Sequence, residues 1–222
     1  VGADAAADWA PCWLAERLSR DAVLGEADVT WIGAMAISET ASELAPLHSD
    51  LYDGTAGVAL FLGYLGRLRG EARYLELAQR AGRALHAGLL EHKPGAPLGG
   101  FGGLPSQLYT LVHLQAILGE RRLLSTLDDA LRIIAAELAH DDRLDVMYGA
   151  AGALLVLLTV YEMTGVEAAL AVAVACGRHL STKARRDAAG ACWPVPVAAR
   201  PLLGFAHGAA GIGGALARLG RR

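Results

Sequence analysis

The sequence predicts an all-α protein, an incomplete α/α toroid built of helical-hairpin repeats, of which about three to four are present. Two observations support this fold class. A short glycine-rich motif occurs four times, each time before an almost uniformly apolar segment, and amphipathic segments lie between the copies. At 222 residues, with 54 % hydrophobic and 19 % charged residues, the chain has the length and composition of one globular domain.

The glycine motif sets the length of the repeat. Its first glycines, Gly54, Gly103, Gly149 and Gly208, are 49, 46 and 59 residues apart, which is room for two helices and their connections. Three copies have a second glycine three residues later, whereas the copy at Gly103 has Ser106 there. Such hairpins can close into a toroid or stack into an open solenoid. Four motifs without a complete fourth repeat favour an incomplete ring.

The apolar segments are predicted to be inner helices and the amphipathic segments outer helices, because a helix that is apolar all round must be buried. Inner helices are predicted over 58–69, 107–118, 153–164 and 212–219, and outer helices over 74–90, 122–138 and 166–180. Gly70, Gly119 and Gly165 follow the first three inner helices, where a glycine with left-handed backbone commonly ends a helix.

Residues 1–45 carry no glycine motif and are predicted to be a helical lead-in or connector that contains three of the four tryptophans. A soft boundary is placed at Ala45-Pro46, so that residues 46–222 form the N-terminal part of the toroid. Val1 is not an initiator methionine, which suggests a fragment, and no signal peptide is visible. A ring left open is expected to self-associate through the apolar surface at its open end.

Charge and cysteine usage exclude several classes of function. The formal net charge is −3, with acidic and basic residues interspersed, so nucleic acid is not an expected partner. The uncharged run over 146–161 is shorter than the roughly 20 residues of a membrane-spanning helix, so no membrane span is expected. Cys12, Cys176 and Cys192 are an odd number at wide spacing, unlike a disulfide framework, and we expect a reducing, cytoplasmic location.

Two residues beside the motifs are candidates for catalysis. His207 adjoins the fourth motif, and an imidazole can exchange a proton near neutral pH. Asp145 precedes the third motif, where a carboxylate could orient an imidazole or handle protons. Each residue also has a structural interpretation, His207 as a hydrogen-bonded core residue and Asp145 as the N-cap of the next helix. Asp53 in the first motif is open to the same two interpretations as Asp145.

Three other functions remain open at this point. Cys176 and His179 are three residues apart on a predicted outer helix and could share a metal ion, but no second pair of ligands is nearby. A non-catalytic α-solenoid could bind a peptide or protein in its concave face. A glycan-processing enzyme would need paired acids at glycosidase separation, and Asp53 and Asp145 are the candidates on the inner rim.

The fourth motif, in RPLLGFAHGAAGI from Arg200 to Ile212, resembles the lanthionine synthetase C-like family. It is most similar to the cyclase domain at the C-terminal end of class II bifunctional lanthipeptide synthetases. DLYDGTAGVALFL from Asp50 and DVMYGAAG from Asp145 support the resemblance, and the matches run in family order from about residue 28 to the end of the chain.

The resemblance implies an α/α toroid and a cyclase reaction. A cysteine thiol of a precursor peptide adds to a dehydroalanine or dehydrobutyrine of the same peptide and closes a thioether ring. The implied partner is that precursor peptide, with its leader and its dehydrated core. In this family a zinc ion activates the thiol, His207 matches the proposed proton-transfer histidine, and Asp145 matches a nearby carboxylate.

The resemblance also implies zinc ligands that this sequence does not contain. In the family a cysteine and a Cys-His pair follow the glycine-histidine motif, and no Cys-His dipeptide occurs here. We therefore expect zinc in the full-length parent protein and none in this chain. Without a metal a cysteine thiol is mostly protonated at neutral pH, so little or no ring closure is expected from this chain alone.

Overall fold

The computed structural model describes residues 3–38, 40–91, 94–188, 190–194, 196, 198 and 200–222. Within these residues the fold is a helical repeat of eight α-helices with three short β-hairpins, which confirms the all-α class. The helices are α1 (Ala3–Arg20), α2 (Thr55–Arg69), α3 (Ala72–Gly88), α4 (Leu104–Leu118), α5 (Leu127–Glu137), α6 (Ala150–Thr164), α7 (Glu167–Lys183) and α8 (Ala209–Leu219). The antiparallel hairpins pair β1 (Val23–Leu24) with β2 (Val29–Thr30), β3 (Ile32–Ala36) with β4 (Ser42–Pro46), and β5 (Arg185–Asp187) with β6 (Gly190–Cys192).

The helices form two layers. α2, α4, α6 and α8 pack in succession as the inner layer, and α3, α5 and α7 cover them as the outer layer. The core between the layers consists of aliphatic side chains, and its fully buried members include Leu62, Leu108, Leu111, Leu114, Leu154, Leu157 and Leu158. The alternation of inner and outer helices is the one predicted, while closure into a toroid stays a prediction. None of the helices in the described residues combines the length and apolarity needed to cross a bilayer.

Each inner helix begins three residues earlier than predicted. The first glycine of each motif is the N-cap, so the second glycine lies in the first turn of the helix. A Cβ on Gly152 would lie 2.1 Å from both the Gly100 nitrogen and the Val146 oxygen, so this glycine allows a close approach of neighbouring backbone. Ser106 replaces the second glycine in α4, and its hydroxyl donates to the Gly103 carbonyl at 2.7 Å.

The ends of the inner helices are as predicted. Gly70, Gly119 and Gly165 follow α2, α4 and α6 with φ of 70°, 72° and 71°, the left-handed conformation that glycine adopts without strain. Each glycine N–H donates to a carbonyl of the last helical turn. The inner helices are therefore bounded by glycine at both ends.

The predicted outer helix over 122–138 is present as α5, but its predicted bounds are wrong, because the structure divides the segment. A 3₁₀ turn over Arg121–Leu124 precedes α5, and a second one, Leu138–His140, follows it. The Ser125 hydroxyl contacts His86 Nε2 at 3.0 Å, and serine and threonine commonly compete with the helix for hydrogen bonds. Because α5 begins at Leu127, Asp128 and Asp129 lie in its first turn, where the helix dipole favours negative charge.

The predicted helical lead-in over 1–45 is also corrected, since Ala3–Arg20 is the only helix among its described residues and the strands β1 to β4 form two β-hairpins. Val23 and both residues of β2 are β-branched, which favours extended backbone, whereas β3 has one β-branched residue, Ile32, and β4 has none. Trp31 is 3 % exposed, and its indole N–H donates to a carbonyl of α1 at 2.7 Å. The lead-in thus shares its core with the repeats, and β4 crosses the predicted boundary at Ala45-Pro46.

The close backbone approach at Gly152 yields a stability prediction. Gly152→Ala should lower the free energy of unfolding by about 3 kcal/mol, because the added methyl meets backbone atoms that cannot move aside. The matched control is Gly213→Ala in α8, where a Cβ would have no atom within 4 Å; it should raise stability by about 0.5 to 1 kcal/mol. Urea denaturation measures both, and equal effects would contradict the packing assigned to Gly152.

Candidate active site

The four motif turns lie side by side at one end of the inner layer and are joined by backbone hydrogen bonds. In each neighbouring pair, a carbonyl two residues before the first glycine of one turn accepts N–H groups of the turn before it. The Phe101 carbonyl accepts from Leu51 and Tyr52, the Met147 carbonyl from Phe101 and Gly102, and the Ala206 carbonyl from Val146 and Met147. These bonds fix the order and spacing of the side chains that the turns present.

The third and fourth turns bring His207 and Asp145 into direct contact. His207 Nδ1 lies 2.7 Å from Asp145 Oδ2. A carboxylate oxygen accepts hydrogen bonds, so Nδ1 donates and the lone pair of the neutral ring is on Nε2. Asp145 is 2 % exposed, whereas the His207 side chain is 33 % exposed. The pair therefore has a buried carboxylate and an imidazole that reaches solvent, which is an arrangement suited to proton transfer.

Tyr148 completes the surroundings of this pair. Its backbone N–H donates to Asp145 Oδ1 at 2.7 Å, so both oxygens of the carboxylate are engaged. Its ring lies beside the imidazole of His207, with centroids 6.2 Å apart and planes inclined by 27°. The Arg143 guanidinium lies 5.8 Å from the centroid of the Tyr148 ring. Burial, and then the nearby Asp53 carboxylate, raise the pKa of the Tyr148 phenol.

The cap of α6 is supplied by Asp141, a residue that the sequence analysis did not single out. Asp141 Oδ2 accepts the backbone N–H of Ala150, the first residue of α6, at 2.9 Å, and that of Leu144 at 3.3 Å. Oδ1 accepts from Arg143 at 3.2 Å. Burial raises the pKa of Asp141, while these N–H groups and the neighbouring His179 oppose that rise. Asp145 is thus not the cap of α6.

The family model for lanthionine synthetase C-like proteins matches residues 45–222 of the chain. The chain belongs to the lanthionine synthetase C-like family. A comparison with curated proteins finds no match. The family match includes all four motif turns, whereas α1 and the strands β1, β2 and β3 lie before it.

The two aspartates considered as glycosidase acids, Asp53 and Asp145, have different environments in this lanthionine synthetase C-like chain. Asp53 is exposed, and α2 has no side-chain cap, so Asp53 does not cap that helix. Its N–H donates to Asp50 Oδ1 at 3.3 Å. Asp145 is buried and bonded to His207, so it does not have the open position that a paired glycosidase acid requires.

The described residues do not fit a metal ion. No group of three or more His, Cys, Asp and Glu side chains among them lies close enough together to bind one. Cys176 is buried, and burial raises its pKa to about 12, so it is a neutral thiol at physiological pH. His179 Nε2 contacts the Asp141 carbonyl at 3.0 Å. Cys176 and His179 are therefore core residues that support the loop before α6.

Asp50 is a functional candidate that the sequence analysis missed. Asp50 and Asp145 each stand four residues before the first glycine of their motif, and this spacing is the signal that could have identified Asp50. Both accept a hydrogen bond from the N–H three residues later. Burial raises the pKa of Asp50, and the adjacent Asp53 carboxylate raises it further.

The different roles of Asp141 and Asp145 can be separated by the same substitution. Asp141→Asn should cost about 2 kcal/mol of stability, because its amide nitrogen would face a backbone N–H and leave it unpaired. Asp145→Asn should cost less than about 1 kcal/mol, because Oδ1 still accepts from Tyr148 and His207 can change tautomer. Thermal or chemical unfolding measures both variants. Equal losses would show that Asp145 is also a structural cap.

The burial of Cys176 predicts selective protection from thiol reagents. At pH 7.5 (about one unit below an ordinary thiol pKa), Cys12 and Cys192 should be alkylated by iodoacetamide much faster than Cys176. Mass spectrometry of the proteolysed chain gives the modified positions. All three should react alike in denaturant, which is the control, and equally fast alkylation of folded protein would contradict the buried position of Cys176.

Proposed function

We propose that this chain is part of a lanthipeptide cyclase, in which His207 and Asp145 transfer the proton when a peptide cysteine adds to dehydroalanine or dehydrobutyrine. The observation that carries the proposal is the 2.7 Å hydrogen bond between His207 and the buried Asp145 at the rim of the motif turns. Family membership supports the reaction class. The proposed substrate is a precursor peptide with a leader and a dehydrated core.

Ring closure needs one proton to move, and the pair can move it. Attack of the sulfur on the β-carbon forms the C–S bond, breaks the C=C π bond and leaves an enolate. Neutral His207 accepts the thiol proton at Nε2, and Asp145 stabilises the resulting imidazolium through Nδ1–H. The same Nε2 then donates the proton to the α-carbon, and the enzyme returns to its starting state. One proton leaves the thiol and one proton is added to the α-carbon, so the reaction neither gains nor loses a proton.

The resemblance also implies zinc, which would lower the pKa of the thiol when bound. The described residues do not fit such a site. A thiol with a pKa of about 8.5 is mostly protonated at neutral pH, so we propose that ring closure by this chain alone is slow. For the full-length protein, we propose that zinc is held by residues other than those described.

Other parts of the proposal concern the setting of the chain. We propose a closed α/α toroid, at the C-terminal end of a class II bifunctional synthetase, working in the cytoplasm. The alternating inner and outer helices support the toroid, and three free cysteines support a reducing location. Self-association through the open end remains a proposal, supported by exposed apolar residues of α2 such as Leu68, which is 79 % exposed.

A peptide-binding solenoid without chemistry is the second candidate function. A cavity of about 660 Å³ beside the motif turns favours binding of some ligand. A binding role gives no reason, however, for an imidazole held by a buried carboxylate with its second nitrogen free. The two candidates differ in the effect expected from removing that imidazole.

The stereochemistry of ring closure tests the proton transfer even where the rate is low. With a dehydrated precursor peptide, the chain should enrich one of the two α-carbon diastereomers relative to spontaneous closure. His207→Ala should abolish the enrichment and slow the catalysed rate by about 100-fold or more. His140→Ala, at an exposed outer position, is the matched control. Chiral gas chromatography of the hydrolysed product gives the ratio.

The solenoid alternative predicts a different result in the same assay. His207→Ala would then leave the diastereomer ratio equal to that of the unmodified chain. Such an outcome would remove His207 from the proposed chemistry.

A further inference from the structure

The four motif turns differ in the residue that stands directly before their first glycine. In chain order these residues are Asp53, Gly102, Tyr148 and His207. They follow one another along the rim, because each turn is hydrogen-bonded to the next. Tyr148 is therefore flanked by a glycine on the second turn and by the imidazole on the fourth turn.

Hydrogen bonds hold the backbone of Tyr148 on both sides. Its N–H donates to Asp145 Oδ1 at 2.7 Å, and its carbonyl accepts the N–H of Leu98 at 3.0 Å. Leu98 is on the segment that leads into the second turn and pairs there with Gly103. Because the backbone of Tyr148 is fixed in this way, the position of its ring depends on what the ring contacts.

The Tyr148 ring packs against Gly102 of the second turn. A Cβ on Gly102 would lie 2.6 Å from two carbons of this ring, which is too close for the ring to stay where it is. The φ of Gly102 is outside the left-handed region, so its backbone conformation does not itself require glycine. The absence of a side chain at this position therefore makes room for the Tyr148 ring.

The same ring gives the His207 imidazole a second point of contact. Rotation about χ2 of histidine has broad, roughly two-fold energy wells, so the hydrogen bond to Asp145 alone leaves the imidazole free to tilt or flip. The side chain of His207 is 33 % exposed, so solvent does not restrict this motion. The Tyr148 ring lies beside it, with centroids 6.2 Å apart and planes inclined by 27°, a favourable geometry for an aromatic pair.

We propose that Tyr148 is a positioning residue whose ring, set in place by Gly102, keeps the His207 imidazole oriented with Nδ1 toward Asp145 and Nε2 free. The inference rests on the proposed function only for its consequence in catalysis. The ring acts by contact, so its hydroxyl is not required. Burial, and then the Asp53 carboxylate, raise the pKa of the Tyr148 phenol, so the hydroxyl keeps its proton at neutral pH.

Nitrogen-15 NMR of the histidine side chains in the intact chain tests this role without any ring closure. Tyr148→Leu should lower the ratio of the Nδ1–H to the Nε2–H form of neutral His207 by about three- to tenfold, the effect of losing one aromatic pair. Tyr148→Phe keeps the ring and should keep the ratio. Gly102→Ala should also lower the ratio, although it lies two turns away from His207, because its methyl group displaces the Tyr148 ring.

The matched control is Gly213→Ala in α8, where a Cβ would have no atom within 4 Å; it should leave the ratio unchanged. Circular dichroism shows whether each variant is folded, and Tyr148→Leu and Gly102→Ala each serve if the other fails to fold. An unchanged ratio in either folded variant, or a lowered ratio in Tyr148→Phe, would overturn the proposal. Because the ratio is measured without substrate, this failure is distinct from unchanged stereochemistry in His207→Ala.

Discussion

The second, third and fourth motif turns each present a carbonyl to N–H groups of the turn before it, and buried backbone groups of this kind must be paired. Their pairing across the rim depends on close approach of neighbouring chains, which glycines such as Gly152 permit. Side chains that are far apart in sequence, such as Asp145 and His207, meet because their turns are bonded at Val146 and Ala206. The site is therefore built on the backbone of the repeat and not on one loop.

Three aspartates near the motif turns have different hydrogen-bond partners, although their side chains are chemically identical. Both carboxylate oxygens of Asp141 accept hydrogen bonds from backbone N–H groups, and these bonds hold the loop before α6 in place. Asp145 shares its oxygens between the backbone and an imidazole. Asp50 has one backbone bond, lies beside a cavity, and has a raised pKa because burial and Asp53 both disfavour its charge. Support of the loop and orientation of the imidazole thus belong to two different aspartates of the loop before α6.

The sequence predicted the repeat well because glycine spacing and apolar periodicity are local signals. It placed the inner helices and their left-handed ends, but it put each helix start after the second glycine, whose role depends on a neighbouring turn. Hairpins in the lead-in were missed because tertiary packing around Trp31 decides their conformation. Asp141 could not be found, since its loop folds back onto α6 and no other repeat carries the same residue.

The proposed proton transfer requires a neutral His207 that carries its hydrogen on Nδ1, bonded to Asp145, and keeps Nε2 free. Nitrogen-15 NMR of the histidine side chains reports this tautomer directly in the intact chain. We expect the Nδ1–H form for neutral His207 and a shift toward the Nε2–H form in Asp145→Asn. An Nε2–H form in the unmodified chain, or a tautomer that Asp145→Asn leaves unchanged, would contradict it.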